Sequence, residues 1–167
     1  MKEYTVDIPL EALVRAKCGT LENLSDLLNA VGIEHRPTQK DLRISCPECG
    51  TANRDTTLSV YLKNDEPLWK CHRCDLQRRK YNTLIGLYRV FNNANPWQAV
   101  NTMFDLAFEN DSPSTTHFPL DVDGLKGKLL HEVPPHKLYW ALVGSDSVVI
   151  TQEIKDEIAD RLFLGAA

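Results

Sequence analysis

The chain has 167 residues, of which 43% are hydrophobic and 25% are charged, and its formal net charge is −4. This composition is typical of a globular protein and excludes collagen-like, low-complexity and wholly disordered chains. The absence of a run of about 18 apolar residues excludes a membrane-spanning helix, and the acidic N-terminus argues against a signal peptide. We therefore expect a cytoplasmic protein without a membrane partner. The net charge alone argues against a nucleic-acid partner.

The charge is distributed unevenly along the chain. Residues 1–34 carry a net charge of −3, residues 35–89 carry +5, and residues 90–167 carry −6. A basic centre between acidic flanks indicates that an acidic chain can still contain a local site for a polyanion. Ordinary solvated surface charge is the competing interpretation of this difference.

Two helices are predicted ahead of the basic centre. The first follows Pro9, which is favourable in the first turn of a helix. The second carries a leucine-rich stripe, begins after Thr20 as its N-cap and ends at Gly32. Cys18 lies at helical spacing from preceding apolar residues and is predicted to be a small buried core residue. Residues 1–34 are therefore assigned to an N-terminal helical segment.

Four of the five cysteines form two pairs that are separated by a longer segment: Cys46, Cys49, Cys71 and Cys74. In a reducing compartment, paired cysteines with this spacing are typical of a metal site rather than of disulfides. Two tight turns supply the four tetrahedral thiolates that Zn²⁺ prefers, and four protein ligands leave no position open for a substrate. A redox dithiol or an iron–sulfur cluster fits the spacing less well. We predict one structural Zn²⁺, with Gly50 adopting a positive φ after the first pair.

A β-hairpin is predicted between the two cysteine pairs. Residues 57–62 alternate in polarity, 63–66 form a polar turn, and 67–71 lead into the second pair. If residues 62 and 67 close the turn, Val60 faces Trp69 on one side of the hairpin. The other side then carries Ser59, Tyr61, Lys63, Leu68 and Lys70. With a third short strand at 42–44, the prediction is a small four-cysteine zinc ribbon with a three-stranded antiparallel sheet.

Helices are predicted to follow the ribbon. Asn82 is the expected N-cap of one helix, and Asn95 precedes Pro96 at the start of a second. These helices complete a zinc-ribbon domain at 35–110, which a polar linker at 111–119 separates from an acidic, mainly helical C-terminal region at 120–167. The predicted fold class is α+β, with the ribbon embedded among helices. A helix-turn-helix is disfavoured because the second C-terminal helix is too acidic for a DNA groove.

The segment from Cys46 to about Leu106 resembles the zinc-binding domain of bacterial and phage replicative DNA primases. The shared elements are the motifs CPEC at 46–49, TLSVY at 57–61 and WKCHRC at 69–74, followed by two helices. The resemblance implies that the four paired cysteines bind the metal. It also implies that Tyr61, Lys63 and Lys70 form an exposed hairpin face that contacts a single-stranded template.

The chain departs from the primase pattern after the second cysteine pair. The family has a glycine there and a Gly-Asp before its helix, whereas this chain has DLQRRKY at 75–81. A basic run that includes an aromatic residue suits phosphate contact and base stacking. The predicted nucleic-acid-binding residues are therefore basic or aromatic: Tyr61, Lys63, Lys70, Arg73, Arg78, Arg79, Lys80 and Tyr81. A solvated surface is the competing interpretation of the basic run.

These features lead us to expect a non-enzymatic nucleic-acid-binding protein, namely a phage or mobile-element accessory of DNA replication. Its expected partners are single-stranded nucleic acid, with DNA favoured, and a replication or transcription protein. No P-loop or nucleophile elbow is present, and the DVD sequence at 121–123 is predicted to be a polar loop. The alternative is a protein-interaction adaptor or inhibitor. Such a protein would dock its acidic helical flanks on a host polymerase, helicase or defence complex.

Overall fold

A computed structural model of the chain describes residues 4–50, 56–80, 82–110, 112–144 and 150–163, with the backbone alone at 4–9, 79–80 and 163. Two compact units are present, Met1–Ala107 and Phe108–Ala167. Helices occur in both units, and the first also contains an antiparallel sheet. The predicted α+β class with a helical C-terminal region is confirmed. The predicted division at 34, 110 and 119 stays a prediction.

The first unit begins with two helices, α1 (Tyr4–Lys17) and α2 (Leu21–Ala30). Helix α1 starts ahead of Pro9, so the predicted start of this helix was wrong. Thr20 caps α2 as predicted, because its hydroxyl accepts a hydrogen bond from the Asn23 N–H at 3.2 Å. The Cys18 side chain is 1% exposed, in agreement with its predicted place in the core.

Four antiparallel strands follow in the order β1 (Arg36–Pro37), β2 (Asp41–Ile44), β3 (Leu58–Lys63) and β4 (Glu66–Cys71). In the hairpin of β3 and β4, Leu62 pairs with Pro67 and Val60 pairs with Trp69, as the sequence predicted. The loop consists of two residues, Asn64 and Asp65, with φ of 52° and 62°. Asn and Asp tolerate this left-handed conformation, which matches the twist of a two-residue hairpin.

Strand β1 is an addition to the predicted three-stranded sheet. It spans two residues and pairs with β2 through a tight turn in which the Thr38 N–H donates to the Asp41 carbonyl at 2.8 Å. The Thr38 hydroxyl also accepts from the N–H groups of Lys40 and Asp41. The sequence did not predict this strand because two residues are too few to show an alternation of apolar and polar side chains. Pro37 lacks an N–H group and so limits further strand pairing at this outer edge of the sheet.

Three helices complete the first unit: α3 (Leu76–Lys80), α4 (Leu84–Asn92) and α5 (Pro96–Ala107). The N-cap of α4 is Thr83, whose hydroxyl accepts from the Gly86 N–H at 3.2 Å. The expectation that Asn82 caps this helix was therefore wrong by one residue. The Asn82 carbonyl instead accepts from the Trp69 N–H at 3.1 Å and extends the pairing of β4.

The core of the first unit lies between one face of the sheet and the helices. Trp69 is fully buried there, and its indole Nε1 donates to the Thr83 carbonyl at 2.8 Å. Because that bond satisfies the single polar atom of the ring, the large side chain is compatible with an apolar core. Around it the core contains Leu10, Leu24, Leu28, Leu42, Ile44, Leu58, Val60, Leu84, Leu87, Met103 and Phe104.

The second unit contains a short 3₁₀ turn (Leu130–Glu132) and the helices α6 (Pro135–Gly144) and α7 (Gln152–Phe163). The Glu157 carboxylate on α7 accepts hydrogen bonds from the hydroxyls of Ser114 and Thr116. These bonds fix part of the irregular segment before the 3₁₀ turn, where Ser114 and Phe118 are buried. Among the helices of both units that the structure describes, none has the length and apolar character needed to cross a membrane.

Candidate metal centre and the adjoining sheet face

The sheet brings the two cysteine pairs together at one of its ends. Strand β3 pairs with β2 on one side and with β4 on the other, so that Leu58 is opposite both Ile44 and Cys71. The first pair follows the end of β2, and the second pair begins at the last residue of β4. Two segments that are distant in sequence therefore lie side by side.

The four sulfur atoms form a cluster in which each Sγ lies within 4.8 Å of every other. The Sγ atoms of Cys46 and Cys74 are 3.8 Å apart, and those of Cys49 and Cys71 are 3.4 Å apart. A tetrahedral ion with Zn–S bonds of about 2.3 Å separates its sulfur ligands by about 3.8 Å. The four cysteines could therefore hold one metal ion.

Tight turns shape both pairs. The Gly50 N–H donates to the Cys46 carbonyl at 2.9 Å and closes the first turn, and the Cys74 N–H points at the Cys71 Sγ at 3.4 Å. Among the described glycines, positive φ occurs at Gly32, Gly124 and Gly127 but not at Gly50, so the expectation for Gly50 was wrong. Glycine is required at position 50 because there is no space for a side chain: a Cβ would lie 2.5 Å from the Cys46 carbonyl oxygen.

The thiols are held in unequal environments. Burial raises the pKa of Cys71, but N–H groups of Cys74 and Arg73 and hydrogen bonds from Cys49 and Thr57 outweigh burial and lower it to about 6. Burial and hydrogen bonds from the other thiols raise the pKa of Cys74 to about 12. Burial also raises the pKa of Cys46. Thiols bind a metal ion as thiolates, so metal binding at this cluster releases the protons of the four cysteines.

Three further side chains support the cluster. The Thr57 hydroxyl lies 3.8 Å from the Cys49 Sγ and 3.7 Å from the Cys71 Sγ. Arg73 Nη1 donates to the Cys49 carbonyl at 3.2 Å and so links the second pair to the first. Gln77 Oε1 accepts from the Cys71 N–H at 3.0 Å. Sequence reasoning missed Thr57 and Gln77, because their contacts arise from the sheet register and from the unpredicted helix α3.

A row of cations crosses the sheet on the face opposite the core. Arg36 on β1 pairs with Arg43 on β2. Arg43 pairs in turn with Ser59 on β3, and Ser59 pairs with Lys70 on β4. Directly opposite residues share a face of the sheet, so Arg36, Arg43 and Lys70 form one line, which we call the basic row. Arg36 and Lys70 are exposed, whereas Ser59 is buried.

The neighbouring positions add an aromatic ring and a further cation. Tyr61 lies one row along the same face, and the Lys70 ammonium is 5.8 Å from the centre of its ring. Lys63 is exposed at the end of β3, opposite Glu66. The structure thus brings three of the predicted nucleic-acid-binding residues, Tyr61, Lys63 and Lys70, onto one face. This is the side of the hairpin that the sequence predicts for them.

Besides Glu66, the acidic residue Asp41 belongs to this face, where it lies opposite Tyr61. Asp41 accepts from Arg43 Nε at 2.9 Å and from the Thr38 hydroxyl at 2.6 Å. Burial raises the pKa of Asp41, but hydrogen bonds from Thr38, Arg43 and Ser59 outweigh it, so that the pKa lies below its ordinary value. The ionised carboxylate therefore forms an ion pair with the Arg43 guanidinium. The Ser59 hydroxyl also contacts the Nε2 atom of His72 at 2.7 Å.

The other predicted contacts are spread more widely. Arg73 and Arg78 are exposed, the first beside the metal centre and the second on α3. The backbone of Arg79 and Lys80 belongs to α3, but their side chains lie outside the described residues, as does Tyr81. Arg36 and Arg43 were missed as candidates. The alternation of Arg43 with the apolar residues of β2 would have indicated an outward side chain, whereas nothing in the sequence marks Arg36 as part of a strand.

Comparisons with models of protein families, with curated proteins and with solved structures found no match to this chain.

Proposed function

We propose that the chain is a non-enzymatic zinc ribbon that binds single-stranded nucleic acid, with DNA favoured, through the basic row and Tyr61. The observation that carries this proposal is the alignment of Arg36, Arg43 and Lys70 across the sheet beside an aromatic ring. In this role the protein acts as a replication accessory of a phage or mobile element, similar to the zinc-binding domain of replicative primases.

The donor set supports Zn²⁺ as the ion. Four thiolates in tetrahedral arrangement select zinc or an iron–sulfur cluster over the harder cations. A cluster of several iron atoms holds its cysteine sulfurs farther apart than a single ion does. The short Sγ distances of 3.4 Å and 3.8 Å therefore favour one ion. With all four positions taken by protein, the ion has a structural role.

The chemistry of the sheet face supports a polyanion with unstacked bases. Cations bind backbone phosphates and supply the salt-dependent part of the affinity. An aromatic ring offers a stacking platform to a base, and such platforms are typical of proteins that bind single strands. Tyr61 is partly exposed and has Lys70 above its ring, so that both contacts are available within one residue pair.

Fluorescence anisotropy with a labelled single-stranded oligonucleotide tests the phosphate contacts. We expect the logarithm of the binding constant to fall with the logarithm of salt concentration, with a slope of about −0.7 for each phosphate contact. Replacing Arg36 and Lys70 with alanine should reduce the steepness of the slope by about 1.4, because it removes two phosphate contacts at the ends of the basic row. The matched control replaces Lys126 and Lys128, two exposed lysines of the second unit, and should leave the slope unchanged.

Tyr61 offers a second arm of the same experiment. Tyr61→Leu should weaken binding by about 1–3 kcal/mol at every salt concentration, because it removes one stacking platform. Tyr61→Phe keeps the ring and should retain binding. The proposed nucleic-acid function is wrong if the zinc-loaded protein does not bind the oligonucleotide at low salt. It is also wrong if replacing the control lysines changes the slope as much as replacing Arg36 and Lys70.

The adaptor function remains the second candidate, and the surface of α7 favours it. Glu153, Asp156 and Asp160 are exposed on this helix. Their spacing of three and four residues puts them on one side of the helix, where they present an acidic surface to a basic partner. Two results together would favour the adaptor. The zinc-loaded protein would bind a basic replication or transcription protein but not nucleic acid, and it would lose that binding when these three residues are replaced by the corresponding amides.

A further inference from the structure

The Thr57 side chain lies between the two cysteine pairs. Its hydroxyl oxygen is within 3.8 Å of one sulfur from each pair, those of Cys49 and Cys71. Its backbone carbonyl accepts from the His72 N–H at 2.8 Å, which fixes the start of the second turn against β3. One residue therefore contacts both halves of the metal centre, through its side chain and through its backbone.

The protonation of the sulfurs decides which way these hydrogen bonds run. Cysteines bound to a metal ion are thiolates and can only accept. The Thr57 hydroxyl must then be the donor, toward the Cys49 or the Cys71 sulfur. Cys71 also faces the Cys74 N–H at 3.4 Å. For Cys49, the Thr57 hydroxyl supplies a hydrogen-bond donor at 3.8 Å.

We infer that Thr57 is a positioning residue that sets how tightly the metal ion is retained. Four thiolates and one divalent zinc ion carry a net charge of −2, and a hydroxyl that donates to sulfur stabilises this charge in a partly buried site. Side chains that hold metal ligands in this manner typically change metal affinity by about 10–100-fold. This inference rests on the proposed metal function and extends it to a residue outside the four ligands.

The test compares variants of the full chain in competition with a chromophoric zinc chelator. Thr57→Val has nearly the same shape but lacks the hydroxyl, and we expect its zinc affinity to fall by about 10–100-fold. Thr57→Ser keeps the hydroxyl and should stay within about twofold of the wild type. Thr56→Val is the matched control, because it makes the same exchange one position away and should leave the affinity unchanged.

The absorption spectrum of the cobalt-substituted protein gives a second measurement, because it responds to hydrogen bonds at the sulfurs and not to the stability of the fold. Loss of a hydrogen bond to a thiolate raises the energy of the sulfur electrons, so the sulfur-to-cobalt charge-transfer band of Thr57→Val should shift to longer wavelength. Thr57→Ser should keep the wild-type band. If Thr57→Val has the wild-type charge-transfer band and zinc affinity, the inference is overturned. If Thr57→Val does not fold, Thr57→Ser decides: loss of zinc binding in that variant would also overturn the inference. Failure of the wild-type chain to bind zinc or cobalt would instead refute the proposed metal function.

Discussion

Replacing Gly50 with alanine is a sharp test of the metal centre, because the added atom has no room. The new Cβ would lie 2.5 Å from the Cys46 carbonyl oxygen, 2.6 Å from the Ser45 Oγ and 3.1 Å from the Cys46 nitrogen. The Ser45 hydroxyl can rotate away, but the two Cys46 atoms belong to the backbone of a metal ligand. The turn itself must therefore open.

The size of the effect follows from these distances. The contact with the Cys46 oxygen must lengthen by about 0.5 Å before it reaches the 3.0 Å that real Cβ atoms tolerate. That movement opposes the 2.9 Å hydrogen bond from the Gly50 N–H to the same oxygen. Forced overpacking of this kind typically costs about 1–3 kcal/mol. Since each 1.4 kcal/mol is a factor of ten, we expect Gly50→Ala to bind the metal about 5–150-fold more weakly.

Titration with Co²⁺, followed by competition with Zn²⁺, measures this change directly. Gly144→Ala is the control, because a Cβ at Gly144 meets nothing within 4 Å and its φ is not positive. It should bind metal as the wild type does, and removal of a flexible glycine should leave stability equal or slightly higher. If Gly50→Ala binds cobalt within twofold of the wild type, the turn is not the rigid element that the close contact implies.

Two further predictions concern stability. Trp69→Ala should lower the free energy of unfolding by about 3–5 kcal/mol in urea titrations, because it leaves a large cavity and strips the Thr83 carbonyl of its indole donor; a loss below 1 kcal/mol would show that Trp69 is not central to the core. Glu157→Gln should destabilise the chain by on the order of 1 kcal/mol at pH 7. The hydroxyls of Ser114 and Thr116 lower the pKa of Glu157 in the folded protein. The stability that the Glu157 carboxylate contributes is therefore fully present above the ordinary glutamate pKa and is lost as the pH falls through the lowered pKa of the folded state. The wild type and Glu157→Gln should therefore converge in thermal unfolding at acid pH, and a gap that persists there would contradict this linkage.

The parts of the fold that the sequence predicted are those with local signals. The hairpin register follows from one alternating strand and a polar turn, since shifting the pairing by one residue would expose Val60 and Trp69. The helices with regular apolar stripes were predicted because the spacing of their apolar residues is also a local signal. Cysteine spacing indicated the metal cluster because two short turns are a strong constraint on where four sulfurs can point.

The features that were missed depend on contacts between distant segments. Strand β1 exists because the Thr38 turn returns the chain onto β2, and two residues carry no periodic signal. Thr83 rather than Asn82 caps α4 because β4 uses the Asn82 carbonyl for its own pairing. Glycine is required at position 50 because the Cys46 backbone lies too close for a Cβ, and not because of a positive φ. A single sequence does not distinguish these two reasons for a glycine.

The proposed function also explains how an acidic chain can accommodate a polyanion. At physiological salt a charge is screened beyond about 8 Å, so the net charge of −4 matters less than the charges beside the ligand. On the sheet face, Asp41 is tied to Arg43 and Glu66 is opposite Lys63, which leaves Arg36 and Lys70 as cations that no carboxylate faces directly in the pairing of the described strands. Both are at the ends of the basic row, one on each outer strand. A bound strand would then cross the sheet from β1 to β4, with Tyr61 beside its path.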